Sequence, residues 1–233
     1  MSSDEPVLET RIDGPVAFLA FNRPAKRNAV NDRTVDALQA FFSAIPDGVR
    51  VVVLSGNGGH FSAGLDLSEQ VQREPQAVMR HSRNWHAVTS LIQFSGVPVV
   101  AAMSGAVMGG GLEIAATCHV RVAESGALFR MPEGQRGIFV GGGATVRLSA
   151  IIGADRLTEM MLTGRTYSAE DGHRIGIVHY LVEQGQALKK PKNWHCRSQA
   201  TLPRSTISSF NRSPGSPRCP LRTGSTRKAS RRL

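Results

Sequence analysis

The chain has 233 residues, of which 41% are hydrophobic and 24 are glycine, a balance expected of one soluble, turn-rich α/β domain with room for a core. No apolar run approaches the ~20 residues that cross a bilayer, the acidic and polar Met1–Pro6 is unlike a signal peptide, and Cys118, Cys196 and Cys219 make no disulfide framework, which suits a reducing, cytoplasmic setting. The formal net charge of +10 is local: 188–233 holds 12 Lys/Arg and no acidic residue, while the rest carries 16 basic against 18 acidic residues, a net of −2.

Val7–Ile12 and Val16–Phe21 read as two strands around the turn Asp13-Gly14-Pro15. Asn22-Arg23-Pro24 ends the second. A helix follows with Asn31 or Asp32 as N-cap and an apolar stripe of Val35, Leu38, Phe42 and Ile45. Pro46-Asp47-Gly48 stops it, and Val49–Leu54 is a buried strand. This β–α–β order predicts parallel pairing with helical crossovers. Ser55–Gly64 is a glycine-rich loop at a strand end, where ligands sit in α/β proteins. Glu69–Phe94 is largely helical around Pro75. Val97–Met103 is a strand, Gly110–Thr117 a helix and Val120–Ala123 a short strand. Phe129–Glu133 is an extended turn. Gly141-Gly142-Gly143 precedes a helix to Ile152, Asp155–Leu162 is another, Ser168 caps a third, and Tyr180–Val182 is a last strand.

Two loop–helix starts carry the chemistry, Ser62-Ala63-Gly64 and Met108-Gly109-Gly110. Each follows a buried strand. If the two strands are neighbours, one N–H from each start can converge on a single carbonyl oxygen and stabilise it as it becomes negative; one such donor is worth roughly 3–4 kcal/mol. The same glycines would also serve simple tight turns. Glu113 sits in a first helical turn, where an acid favours the helix dipole, and Glu133 follows a proline. Facing one apolar cleft, two glutamates can divide the roles of base and acid, their environments setting their pKa values apart. The seven histidines show no ligand spacing, so no metal site is expected. Neither a G-x-S-x-G element, a P-loop nor the dinucleotide G-x-G-x-x-G pattern occurs. Cys118 reads as core. Lys26-Arg27 is a solvated pair that could also meet a phosphate.

The chain resembles the enoyl-CoA hydratase/isomerase (crotonase) family. The resemblance rests on motifs in family order: N-R-P-A-K-R-N-A at Asn22–Ala29, F-S-A-G-L-D-L at Phe61–Leu67, G-A-V-M-G-G-G-L-E at Gly105–Glu113, F-R-M-P-E at Phe129–Glu133, T-G-R-T-Y-S-A-E-D at Thr163–Asp171 and G-I-V-H-Y-L-V at Gly176–Val182. It covers Pro6 to Leu188. It implies an α/β spiral of ββα repeats, a homotrimer or hexamer, and an acyl-CoA thioester as substrate with no metal or redox cofactor. It places the oxyanion hole on the N–H groups of Ala63 and Gly110 and the two hydratase glutamates on Glu113 and Glu133. Many isomerases of the family keep only the second glutamate, so the pair favours adding water across the 2,3 double bond. Ala25, Lys26, Ala63, Gly64, Leu65, Asp66 and Gly110 are implied as the CoA-binding residues. The alternatives are a double-bond isomerase working through Glu133, or an impaired or non-catalytic member.

The chain departs from the family in two places. Family hydratases often carry a proline before the glycine run after the second glutamate, where this chain has Ile138-Phe139-Val140-Gly141. The C-terminal helices expected of the family are also missing from the sequence. Residues 1–187 form the crotonase-like catalytic domain, and 188–233 read as a basic, low-complexity and disordered tail. A frame shift near Lys189–Pro191 fits this change. Pro191–Cys196 can be coded so that the neighbouring frame reads Ala-Glu-Glu-Leu-Ala-Leu, the start of a family-like helix. Such a tail could hold nucleic acid non-specifically and in a salt-dependent way, and no specific nucleic-acid or membrane partner is expected.

Overall fold

The computed structural model describes residues 5–69 and 74–189. The basic tail, with the frame-shift reading and the missing helices, lies outside the described residues from 190 onward. The hairpin forms as β1 (Leu8–Asp13) and β2 (Val16–Phe21), paired antiparallel from Leu8↔Phe21 to Asp13↔Val16. Next come α1 (Asp32–Ser43), β3 (Val51–Gly56), α2 (Pro75–Gln93), β4 (Val99–Met103), β5 (Ala106–Met108) and α3 (Gly110–Thr117). The described chain ends with β6 (Val120–Glu124), β7 (Leu128–Arg130), α4 (Ala144–Ile152), α5 (Ala154–Thr163), α6 (Ala169–Arg174) and β8 (Tyr180–Val182).

Six strands form one sheet in the order β1-β2-β3-β4-β6-β8, parallel from β2 onward, and β5 pairs in parallel with β7 in a second, two-stranded sheet. A main-sheet strand, a small-sheet strand and then a helix recur, which is the ββα alternation expected. The central strands are apolar because both faces are covered. Leu19, Leu54, Ala101 and Ala123 belong to the large core, and Phe18, Val53, Val100 and Val122 to a smaller cluster. β1, at the edge, buries only Leu8 and keeps charged Arg11 and Asp13 in solvent, which discourages further strand pairing. No helix among the described residues is long and apolar enough to cross a membrane.

Asn31 caps α1, its side chain accepting the Thr34 N–H at 3.1 Å, and Ser168 caps α6 through the Asp171 N–H. Several predicted bounds shift. α1 stops at Ser43, so Ile45 packs from the following loop. β3 begins at Val51 and takes in Ser55 and Gly56, and β4 begins at Val99. β5 was not expected. Three residues hold too little pattern to announce a strand, and β5 exists because Ser62 N–H donates to Ala106 O at 2.9 Å and Met108 N–H to Ser62 O at 3.0 Å. Three histidines accept N–H groups near strand starts. The Nδ1 atoms of His60, His119 and His179 accept the N–H groups of Ala106, Val99 and Arg121, each at 3.0 Å.

A knot of polar bonds holds the loop after β2 against the loop after β3. Arg27 and Asn28 are the two non-glycine residues with positive φ among those described, at 47° and 57°. Asn28 is buried. Its Oδ1 accepts the Arg23 N–H at 2.9 Å, and its Nδ2 donates to Asn57 O at 2.8 Å and His60 O at 2.6 Å. Asparagine suits this position because it tolerates the left-handed region and carries both donors and an acceptor. The Arg23 guanidinium reaches Ala29 O at 2.6 Å and Asp66 Oδ2 at 2.8 Å. Burial pushes the Asp66 carboxyl up, but bonds from Ser68 and Arg23 more than offset this and hold it below the usual carboxylate range. Asn28→Ala should cost about 4 kcal/mol or more, combining a left-handed alanine (~1–2) with three abandoned partners (~1–3 each). Asn28→Gly should recover the backbone share. Urea unfolding of the three proteins checks both numbers.

Candidate active site

The site forms where the loop after β3 meets the start of α3. Gly64 O accepts the Val30 N–H at 2.7 Å, and Asp66 N–H donates to Val30 O at 2.9 Å. These two groups face Val30, so the Leu65 N–H between them points to the opposite side, towards α3. A methyl added to Gly110 would stand 3.6 Å from Leu65 N. No residue among those described accepts the Leu65 N–H, and Gly110, as the first residue of α3, has no intrahelical acceptor for its own.

Each residue of the glycine run makes room for a different neighbour. A methyl on Gly109 would meet Glu133 Oε1 at 2.6 Å, one on Gly110 the Trp85 ring at 2.8 Å, and one on Gly111 the Ser62 backbone oxygen at 2.7 Å. The run therefore lets the start of α3 lie against the β3 loop, the α2 aromatic ring and the second glutamate together. Gly109 also has a φ of 49°, which favours glycine.

Ala63 does not fill the position expected of it. Its N–H donates to Arg27 O at 2.9 Å and is spent inside the loop. The neighbouring N–H groups without an acceptor among the described residues are those of Leu65 and Gly110. The family resemblance implies Leu65 only as a CoA contact. The alternation of hydrogen bonds to Val30, which sequence spacing does not report, is what turns its N–H inward.

Glu113 and Glu133 are 4% and 5% exposed, and both line one cavity of about 290 Å³ walled by Leu65, Val78, Trp85 and Phe139. Their surroundings differ. Glu113 Oε1 accepts the N–H groups of Gly142 at 2.9 Å and Ala144 at 3.0 Å, and Oε2 accepts that of Gly142 at 3.1 Å. Burial holds its carboxyl above the usual range, and these N–H groups and the Arg147 charge offset only part of that. Glu133 Oε2 has no hydrogen-bond donor among the described residues. Burial first, then the Glu113 charge, pushes the Glu133 carboxyl up to about 7, against its own backbone N–H and Arg136.

A second cavity of about 300 Å³ adjoins the first and shares Leu65, Glu133 and Ile138 with it. Ala63, Gly64 and Asp66 line it, with the arginines Arg27, Arg130 and Arg136. Of the expected CoA contacts, these three and Leu65 border this cavity, and Gly110 borders the first. Ala25 and Lys26 line neither. They stand exposed on a 3₁₀ turn, where Lys26 Nζ donates to Ser68 Oγ at 3.0 Å. The cationic lining was legible only at Arg27 and, within its motif, Arg130. Cys118 is buried core, its thiol pushed up to about 12 by burial. No cluster of metal-ligating side chains occurs among the described residues.

The sequence profile of the enoyl-CoA hydratase/isomerase family matches residues 11–207, and the chain belongs to that family. It is 34% identical over 191 residues to the probable enoyl-CoA hydratase 2, mitochondrial, of Arabidopsis thaliana, covering 81% of this chain and 60% of that protein. A crystal structure provisionally named enoyl-CoA hydratase, from Rhodopseudomonas palustris, is 46% identical with a TM-score of 0.84, over 91% of this chain and 82% of the other. A Thermobifida fusca structure of the same provisional name, in complex with acetoacetyl-CoA, is 25% identical with a TM-score of 0.80, over 88% and 85% of the two chains. The chain spans 20% and 60% of the length of the first two curated relatives it matches.

The electrostatics predict a titration. The Glu133 carboxyl should titrate near pH 7 in the ligand-free protein. In Glu113→Gln it should titrate at lower pH, because a like charge has been removed. Carboxyl-carbon NMR on glutamate-labelled protein reads both.

Proposed function

We propose that this chain is an enoyl-CoA hydratase, adding water across the 2,3 double bond of an enoyl-CoA thioester. The observation that carries the reading is the unequal pair of buried glutamates on one apolar cavity. Glu113, whose charge is stabilised by N–H donors against the upward push of burial, acts as the base that takes a proton from water. Glu133, without a donor at Oε2 and pushed up to about 7, holds a proton for delivery. The water oxygen bonds to C3, and the double-bond electrons move towards the thioester carbonyl, whose oxygen becomes enolate-like. The N–H groups of Leu65 and Gly110 receive that oxygen. Proton transfer from Glu133 to C2 completes the addition.

The neighbouring cavity with its three arginines suits the phosphate-bearing part of CoA, and the acetoacetyl-CoA bound in the Thermobifida relative supports an acyl-CoA ligand. The acyl group would occupy the cavity walled by Val78, Trp85 and Phe139. Ile138 and Phe139 are exposed, so the segment that replaces the family proline offers apolar surface at the rim of this cavity.

One observation favours a second reading. Glu113 is bonded to the start of α4 by all the contacts described above, so it could serve as a fixed cap while Glu133 alone moves a proton between two carbons of an isomerase substrate. Substitution separates the two. With a short 2-enoyl-CoA, followed by loss of the conjugated thioester absorbance, Glu113→Gln and Glu133→Gln should each lower hydration by ~10²–10⁴-fold. Isomerisation of a 3-enoyl-CoA should survive in Glu113→Gln alone. Hydration that persists in Glu113→Gln would overturn the role given to Glu113, and a folded wild-type protein that hydrates no 2-enoyl-CoA would overturn the hydratase reading.

A further inference from the structure

The glycine run before α4 is gripped between two side chains of opposite charge. A methyl on Gly142 would meet Glu113 Oε2 at 2.7 Å, and one on Gly143, whose φ is 97°, would collide with the Arg147 guanidinium. Gly142 is bonded at both ends. Its N–H donates to Glu113, and its C=O accepts from Arg147 Nη1 at 3.0 Å. Arg147 is itself anchored, since its Nε donates at 2.6 Å to Gln93 Oε1, on the last residue of α2. A continuous path therefore runs from α2 through Gln93, Arg147 and Gly142 to the Glu113 carboxylate.

We propose that Arg147, anchored by Gln93, is a positioning residue for hydration. It fixes the Gly142 peptides so that their N–H holds the Glu113 carboxylate opposite Glu133. The inference rests on the hydratase reading. Arg147 touches neither the expected path of the acyl group nor the N–H pair of Leu65 and Gly110, and it does not line either cavity. Its charge acts in the same direction as its bonds. Burial pushes the guanidinium down and Glu113 pushes it back up, while Arg147 in turn lowers Glu113. The other charged or titratable groups facing this cavity are Glu133, with Arg136 beside it, and His81 of α2, which is paired with Asp32 at 2.8 Å.

The test uses Arg147→Met, Arg147→Gln, Arg147→Lys and Gln93→Leu in the full chain. For a short 2-enoyl-CoA, Arg147→Met should lower kcat ~10–100-fold, the scale of a misplaced catalytic group, with KM within about twofold. The acid limb of the kcat profile should move up by about 0.5 pH or more, because Glu113 has lost a favourable charge. Arg147→Gln should move it likewise and guards against a methionine variant that does not fold. Arg147→Lys should return the limb to its wild-type position. Gln93→Leu should lower kcat without moving the limb, because the charge remains. An unchanged kcat and limb in Arg147→Met or Arg147→Gln would overturn the inference, as would equal losses in the lysine and uncharged variants with no movement of the limb. A wild-type protein without hydratase activity would overturn the parent reading instead. Carboxyl NMR of Glu113 in the ligand-free variants then decides the positioning role, with titration at higher pH in the uncharged variants expected and an unmoved titration contradicting it.

Discussion

The structure around the site depends on the capture of one buried carboxylate. Glu113 is placed inside the protein by α3, where an isolated charge would be costly to bury. Ala144, the first residue of α4, offers an N–H that the helix leaves unpaired, Gly142 just before the N-cap offers another, and the carboxylate accepts both. Each side solves the other's problem. The helix start obtains acceptors, and the carboxylate obtains donors that stabilise its charge. The docking of α3 against α4 and the position of the Glu113 carboxyl thus share one set of hydrogen bonds.

That capture also sets the second glutamate apart. Glu133 lies at the start of a 3₁₀ turn with no equivalent donor at Oε2, and it faces the charge of Glu113 across the same cavity. A buried acid next to a stabilised carboxylate retains its proton to higher pH. The backbone supplies the remaining component. Glycines at 109, 110 and 111 allow α3 to begin against Glu133, Trp85 and Ser62, which brings the Gly110 N–H next to that of Leu65. Strand pairing positions these parts, since β3 and β4 are parallel neighbours whose C-terminal ends carry the two loops.

Much of the fold was legible because it rests on local signals. Asn31 and Ser168 cap the helices where their side-chain oxygens suit, and the apolar runs Val16–Phe21 and Val97–Met103 became buried strands, the second beginning at Val99. Both glutamates were legible from their motifs, as was the glycine run. The rest depended on contacts distant in sequence. β5 exists through its pairing with Ser62 and with β7. The choice between the N–H groups of Ala63 and Leu65 turns on which of them the Arg27 and Val30 backbones engage. The Gln93–Arg147–Gly142 link joins residues up to 54 positions apart and leaves no spacing that a single sequence would reveal.

The central claim is that Glu113 and Glu133 together add water to carbon, and labelled water tests it most directly. A short 2-enoyl-CoA incubated with the protein in ¹⁸O-water, with the product read by mass spectrometry, should yield a 3-hydroxyacyl-CoA that carries the heavy oxygen at C3, at a rate lost in Glu113→Gln. A folded protein that binds the thioester but leaves its product free of ¹⁸O would contradict the account.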